Sequence, residues 1–572
     1  MIFMKFYLVL AASLLTLALL TQWIRLPLAN QGVWMSPDET ANIMSAVSLA
    51  DHGTFKIENP LLKNLPWVFP RSFVPLSDQG AMAPVGFLGM PLVLAIAYKI
   101  IGIFGLLFFT PLFAALTLWA LWKCLPKTWS KGVRWAVLLT WISFPTVIIY
   151  ANRGSFSNLF ITCLAIWLWW LLAEAQGRWA WPVAGAVLGL ACMARPTEIV
   201  WLLPVAVFAI IYRKTNCHSE RSAIEAYGHE VEESLSSTIK QGIPPLRHLR
   251  DFGRNDKLRY GLMALAFLIV LGIGAYLGYQ TYGHWLASGY QIRSETVVSG
   301  QSSVVSQQMQ TISLLKTLPF QFHPRLIIWN AHHYLLDILW PWLLIVLGAI
   351  YISVRDKVWS KPNKWIVLAF GWTMFWLVVF YGNGIYQDHV GVNVASMGNS
   401  YLRYLLPLSV LAAVSVGMVL NKLWKYWSLR ALGLAMVVFL MAMGQWSALL
   451  KDNEGMVANA VELNRYAEIR DQARSLLAPQ TVVLSDRSDK IFFPVFNVAS
   501  PMPDDKRVQA LLDAGYSVAL FLQTQTNDKL AQWWDRGFDL EYGFSDANQT
   551  MYTVTSNGNQ AEIPKVDQSP TL

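Results

Sequence analysis

Asp38 and Glu39, in the stretch SPDETANIMSAVSLADHGTF (36–55), are adjacent carboxylates set directly after Pro37 and shortly after a first apolar run. A carboxylate can take the proton from an attacking hydroxyl. Three arginines stand beside other apolar runs: Arg153 in YANRGSFSN (150–158), Arg195 in ARPTE (194–198) and Arg403 in NSYLRYLLP (399–407). A guanidinium close to hydrocarbon is costly unless an anion or a polar cavity receives it, so three of them point to a phosphate at headgroup depth. A base together with phosphate-binding arginines suits transfer of a group from an anionic lipid to an acceptor. The base removes the acceptor proton while the arginines offset charge on the departing phosphate. Such a reaction needs no nucleotide, and the chain carries no glycine-rich phosphate loop.

Each group also has a plainer use. An acidic pair at a helix start complements the helix dipole without doing chemistry. Arg153 and Arg403 could mark helix ends or bind bulk headgroups, and Glu198 is placed to form a structural ion pair with Arg195. Asp388, in YQDH of a later loop, is a possible secondary acid. His323, His332, His333 and Asp337 do not have the spacing of a compact metal signature, so no metal and no other cofactor is expected to be required. The cysteines Cys124, Cys163, Cys192 and Cys217 are scattered with no CxxC, which predicts reduced or buried thiols.

What must position these residues is a membrane. Of 572 residues 55% are hydrophobic and 14% charged, and mean hydropathy is +0.39. Apolar runs of span length predict eleven helices, at 4–22, 102–122, 134–151, 156–174, 180–194, 197–212, 260–280, 334–353, 365–381, 403–421 and 430–448. The first reads as a retained span rather than a cleaved signal, since no small-residue cleavage site precedes Arg25. With the N-terminus in the cytoplasm, the Lys and Arg clusters at 123–134, 213–259, 355–364 and 422–430 all face inward. The formal charge of +9 is then loop charge, and nucleic acid is not an expected partner. Residues 84–101 are read as a helix lying at the outer interface, because counting them as a span would invert every later cluster.

The outer face then carries loops at about 23–101, 281–333 and 382–402, plus the C-terminal tail. Residues 1–450 form the membrane domain and 451–572 a small soluble α/β domain. In that tail TVVLSD (481–486), KIFFPVF (490–496) and YSVALFLQ (516–523) read as strands, and 507–515 and 527–537 as helices ending at glycine. The inner loop 213–259 is polar enough to read as partly disordered.

PDE (37–39), AP (83–84), ARPTE (194–198) and RYLLP (403–407) together resemble, over roughly 1–450, the GT-C fold glycosyltransferases that use lipid-phosphate sugars, the group containing protein O-mannosyltransferases and aminoarabinose transferases. The resemblance implies a polytopic all-α membrane protein of about eleven spans with the small tail domain. It implies a polyprenyl-phosphate sugar donor, an envelope acceptor (lipid, glycan or protein), and inversion on the non-cytoplasmic side of a cell or inner membrane. Asp38 matches the acidic residue expected to act as base or to orient the acceptor, with Glu39 in support; Arg195 lies in the region where relatives carry a basic residue toward the lipid phosphate, and Arg403 matches the arginine of the RY…P element, a further phosphate-binding candidate. The chain departs from the pattern in having Asn152 and Arg153 where some relatives carry a second acid, and Ala83 where a second proline is usual. Two other readings stand beside this one, a transporter or flippase of an anionic or polyprenyl-linked lipid, and a non-catalytic membrane assembly protein.

Overall fold

The computed structural model describes residues 21–22, 25–76, 80–234, 256–285, 287–292, 322–356, 364–388, 391–392, 397, 400–450 and 455–557. The first predicted span, residues 235–255 of the loop expected at 213–259 and residues 293–321 of that expected at 281–333 fall wholly or mostly outside this set. The chain divides into two compact units interleaved in sequence. One comprises Met1–Leu26, Ser45–Thr54 and Gly86–Ala460; the other comprises Pro27–Met44, Phe55–Val85 and Val461–Leu572.

The larger unit is helical. Pro196–Asn216, Lys257–Tyr282, Lys364–Gly382 and Trp427–Leu449 are each long and apolar enough to cross a bilayer. Two further pairs meet that test together but are bent, Lys131–Ile142 with Pro145–Asn152 by 59° and Pro324–Ile338 with Trp340–Arg355 by 97°. At the first bend Pro145 opens the second helix and holds Phe144 extended at φ −66°, ψ 129°, because the proline ring excludes the α conformation from the residue before it. The second bend follows a π-helical turn, His332–Ile338. Gly89–Ile101, Phe109–Cys124, Ser157–Ala173, Ala180–Ala194 and Leu408–Leu423 are shorter apolar helices. The protein is a multi-pass membrane protein, and all the segments expected from 102–122 onward fall on helices. By length and composition, four helices among the described residues, or up to six spans with each bent pair taken as one, suffice to cross a bilayer.

Some boundaries differ from the sequence reading. The segment expected at 197–212 begins in a 3-10 turn, Pro196–Glu198, and continues in a helix, Ile199–Ser234, that runs past the expected end of the span. Arg403 sits on a separate short helix, Ser400–Tyr404, and the long helix starts only after Pro407. Helix 84–101 begins at Gly89 instead, because Pro84 ends a strand opposite Phe73.

Among the described residues there are ten strands. In the first loop these are β1 (Ile57–Glu58), β2 (Phe73–Leu76) and β3 (Ala81–Pro84), an antiparallel sheet of order β1-β3-β2. β4 (Gln387–Asp388) and β5 (Gly391–Val392) pair in the helical unit. β6 (Val482–Leu484), β7 (Asn497–Ala499), β8 (Val518–Gln523), β9 (Phe538–Asp546) and β10 (Gln549–Ser556) form a mixed sheet of order β7-β6-β8-β10-β9. β6 runs parallel to both its neighbours, and β10 antiparallel to both of its own. The strand expected at 490–496 is a single helical turn, Asp489–Phe492, followed by Pro494, which cannot donate to a ladder; the strand comes just after it. Helices Asp505–Asp513 and Asn527–Asp535 end before Gly515 (φ 78°) and Gly537 (φ 96°), left-handed positions that disfavour any residue with a Cβ.

The smaller unit has a core shared by the first loop and the tail. Val33, Met35, Ala41, Leu62, Phe73 and Met82 are buried in one cluster with Tyr466, Ile469, Phe492, Phe521 and Met551. A second cluster joins Leu65 and Val68 to Val482, Leu484, Leu520 and Trp533. Apolar area removed from water in this way is the main stabilising term available to a sheet domain of this size.

Candidate functional site

Ser36 and Pro37 start the helix Pro37–His52 as sequence chemistry prescribes. The Ser36 hydroxyl accepts from the Asp38 N–H at 3.2 Å, and proline takes the first helical position, where its missing donor costs nothing. Both acids therefore occupy the first turn, but their side chains diverge. Asp38 is exposed and accepts a hydrogen bond from Ser72 Oγ at 2.9 Å; Glu39 is fully buried. Only Asp38 is open to a reactant from solution.

The three arginines, 250 positions apart in sequence at the extremes, meet on one run of aromatic rings in the helical unit. Arg153 caps the helix Pro145–Asn152 in a tight connection to Ser157–Ala173, where Ser155 takes φ 72°. Its guanidinium carbon lies 5.7 Å from the Phe156 ring centroid, and that of Arg403 lies 4.5 Å from the same ring. Arg403 is in turn 5.3 Å from Tyr404, and Arg195 is 4.4 Å from Tyr404 and 5.3 Å from Tyr381. Tyr381 and Tyr404 stack on each other at 4.3 Å. Ring faces carry partial negative charge and so hold like-charged guanidinium groups near one another.

Arg195 follows the last residue of Ala180–Ala194, and its Nε lies 3.4 Å from Glu198 Oε1. The expected ion pair is therefore present. Glu198, 4% exposed, also accepts from the Tyr381 hydroxyl at 2.5 Å and from the Trp201 indole N–H. Nε alone faces that carboxylate: the terminal nitrogens of Arg195 donate no hydrogen bond to any described residue, and neither does the guanidinium of Arg153, whose Nε is buried. Arg403 reaches the Ser400 and Tyr404 hydroxyls at 3.3 and 3.4 Å. A phosphate offers the bidentate acceptor that such planar donors fit.

The structure brings together Arg153, Arg195 and Arg403, and places Asp38 and Glu39 on the smaller unit. Asp388 lies on β4, with its side chain outside the described residues. His332, His333 and Asp337 form the one group among the described residues with metal-ligand geometry, their ligating atoms within 4.8 Å. The π-helical turn explains it, since a five-residue repeat brings His332 beside Asp337 at 3.6 Å as well as His333 at 2.8 Å. Half-exposed and without His323, the cluster is a weak metal site.

Sequence reasoning missed Ser72, Arg470 and Lys490. Arg470, 1% exposed, lies on the helix Met456–Leu476 and makes its hydrogen bonds to main-chain carbonyls. Burial, aided by the neighbouring Arg474 guanidinium, pulls its pKa down to about 10. A signal was present in the periodicity, for Arg470 falls in register with the apolar residues Tyr466, Ala473 and Leu477, a face that ordinarily excludes charge.

The helical unit and the small mixed-sheet unit match, at the level of the fold, a GT-C glycosyltransferase. The crystal structure of ArnT from Cupriavidus metallidurans bound to undecaprenyl phosphate matches with a TM-score of 0.52 at 12% identity, covering 95% of this chain and 97% of that one. The same protein in the apo state gives 0.48 at 12% identity, over 95% and 97% of the two chains. No protein-family model matches the sequence, and no curated protein matches it.

Proposed function

We propose that the protein transfers a sugar from a polyprenyl-phosphate donor to an envelope acceptor at the non-cytoplasmic face of the cell membrane. The observation that carries this reading is the convergence of Arg153, Arg195 and Arg403 on linked aromatic rings, with the terminal donors of Arg195 and the whole Arg153 guanidinium unused by the described protein. The ArnT fold, in a structure bound to undecaprenyl phosphate, supports a lipid phosphate as the anion.

In this reaction the acceptor hydroxyl attacks the anomeric carbon as Asp38 takes its proton. The bond from that carbon to the phosphate oxygen breaks, and the polyprenyl phosphate leaves with the electron pair. The three arginines bind the lipid phosphate and balance its added charge. Glu39, buried one residue on, supports the turn. A single displacement with one base inverts the anomeric centre, which agrees with Asn152 and Arg153 standing where a second acid would be. Asp388 is retained as a possible secondary acid.

Purified protein in proteoliposomes, given radiolabelled polyprenyl-phosphate sugars and an envelope extract, is expected to label an acceptor. Asp38→Asn should lower the rate by about 10²–10⁴-fold, the usual contribution of a positioned base. Undiminished transfer by that variant rejects Asp38 as the base, and donor flipping without transfer replaces the enzyme with a transporter.

A further inference from the structure

We infer that Arg470, Lys490 and Asp489, far along the chain in the tail, are positioning residues that hold the turn bearing Asp38; the inference rests on the proposed role of Asp38. Arg470 Nη1 donates to the Gln31 carbonyl at 2.7 Å and Nη2 to that of Gly32 at 3.3 Å. The same guanidinium donates to the carbonyls of Ile491, Lys490 and Phe493 at 2.5, 3.4 and 3.2 Å. One side chain thus ties the approach to Asp38 onto the segment 490–493. A Cβ added to Gly32 would make only ordinary contact, 3.5 Å from Pro494 and 3.9 Å from Arg470, so what holds this position to glycine is its left-handed φ of 71°.

Lys490, 5% exposed, extends the tie from Gly32 to Met35, with its Nζ donating to the Met35 carbonyl at 2.9 Å while lying over the Tyr466 ring. Its neighbour Asp489 acts on the other side of the acid. The fully buried Asp489 carboxylate accepts from the Arg71 main-chain N–H at 2.9 Å and from Arg71 Nε at 2.7 Å. Arg71 directly precedes Ser72, the residue that donates to Asp38 Oδ1 at 2.9 Å. Two consecutive tail residues therefore fix both the main chain leading into Asp38 and the hydroxyl that orients its carboxylate.

A packing role alone does not require this chemistry. A whole buried ion pair can often be replaced by apolar side chains without loss of stability, whereas a guanidinium and an ammonium donating to carbonyls define where those carbonyls sit. A base must be held within a few tenths of an ångström to take a proton effectively.

The test compares full-length Lys490→Met, Lys490→Arg, Ser72→Ala and Asp38→Asn in two measurements. Hydrogen–deuterium exchange over residues 31–40 should rise about tenfold in Lys490→Met, remain near the parent in Lys490→Arg, and leave 195–203 unchanged. Turnover should fall about 10–100-fold in Lys490→Met and in Ser72→Ala, with KM for donor and acceptor within about twofold of the parent, and recover in Lys490→Arg. Unchanged exchange at 31–40 in Lys490→Met overturns the inference whatever the activity. An inactive Asp38→Asn beside a fully active Lys490→Met overturns the positioning role alone. An Asp38→Asn as active as the parent overturns the base assignment, and this inference with it.

Discussion

Arg195 makes the ion pair its sequence allowed and keeps donors over for the proposed phosphate. Its Nε faces Glu198 at 3.4 Å, and its other nitrogens make no hydrogen bond to a described residue. Glu198 is thus the counter-ion that lets a guanidinium sit at a buried helix junction, and removing it leaves that charge uncompensated. Glu198→Ala is expected to destabilise the protein by about 3–5 kcal/mol, read as a lower unfolding temperature in detergent. It should also strip the Tyr381 hydroxyl and the Trp201 indole of their acceptor. Arg153→Ala removes a guanidinium that makes no hydrogen bond to the described protein, so it should weaken donor affinity with little change in unfolding temperature. Equal loss of stability in the two variants would contradict this division. The sequence disclosed these charges because arginine beside hydrocarbon is rare. It concealed the rings between them, since Tyr381 and Tyr404 look like any other aromatics of an apolar run, and their stacking depends on a fold that brings distant helices together.

At the scale of elements, most of what the sequence disclosed came from apolar length. Ten of the expected spans fall on helices because twenty or so apolar residues have few alternatives in a bilayer. The bends were hidden, since a π turn at 332–338 has no compositional mark, and a proline at 145 inside an apolar run reads equally as a kink or as nothing. Close helix approach was hidden as well, although its residues are plain in hindsight. Gly185 and Gly189, four apart on Ala180–Ala194, face Lys257–Tyr282 so closely that a Cβ on Gly185 would lie 2.0 Å from the Met263 carbonyl oxygen. Because the obstacle is main chain, it cannot rotate away, and the helices must separate. Gly185→Val should therefore destabilise by about 1–3 kcal/mol or more, as overpacking does. Gly272→Ala, on the facing helix with nothing within 4 Å of its added methyl, should be neutral or slightly stabilising. Thermal unfolding of the two variants side by side checks the contrast.

For the molecule as a whole, the sequence suggests a cut near residue 450, where the last apolar run ends and a polar tail begins. Composition supports such a cut because it registers what each segment is made of and nothing of what it packs against. The compact unit that contains the tail also takes in Pro27–Met44 and Phe55–Val85. Its core depends on them: Val33, Met35, Leu62, Phe73 and Met82 are each no more than 3% exposed, in one cluster with Tyr466, Phe492 and Phe521. Burying a side chain of this size contributes about 1.5–3 kcal/mol, so losing several exceeds the whole stability of a domain of about 100 residues. Arg470 and Asp489 would at the same time lose the partners that make their burial tolerable. A fragment of residues 455–557 is accordingly expected to be unfolded or aggregated by circular dichroism and amide NMR. The same fragment fused through a flexible linker to residues 27–85 should recover a cooperative transition, because the missing core residues return together with the hydrogen-bond partners of Arg470 and Asp489. A cooperative transition in the fragment by itself would show that the first loop is dispensable to the fold of the tail.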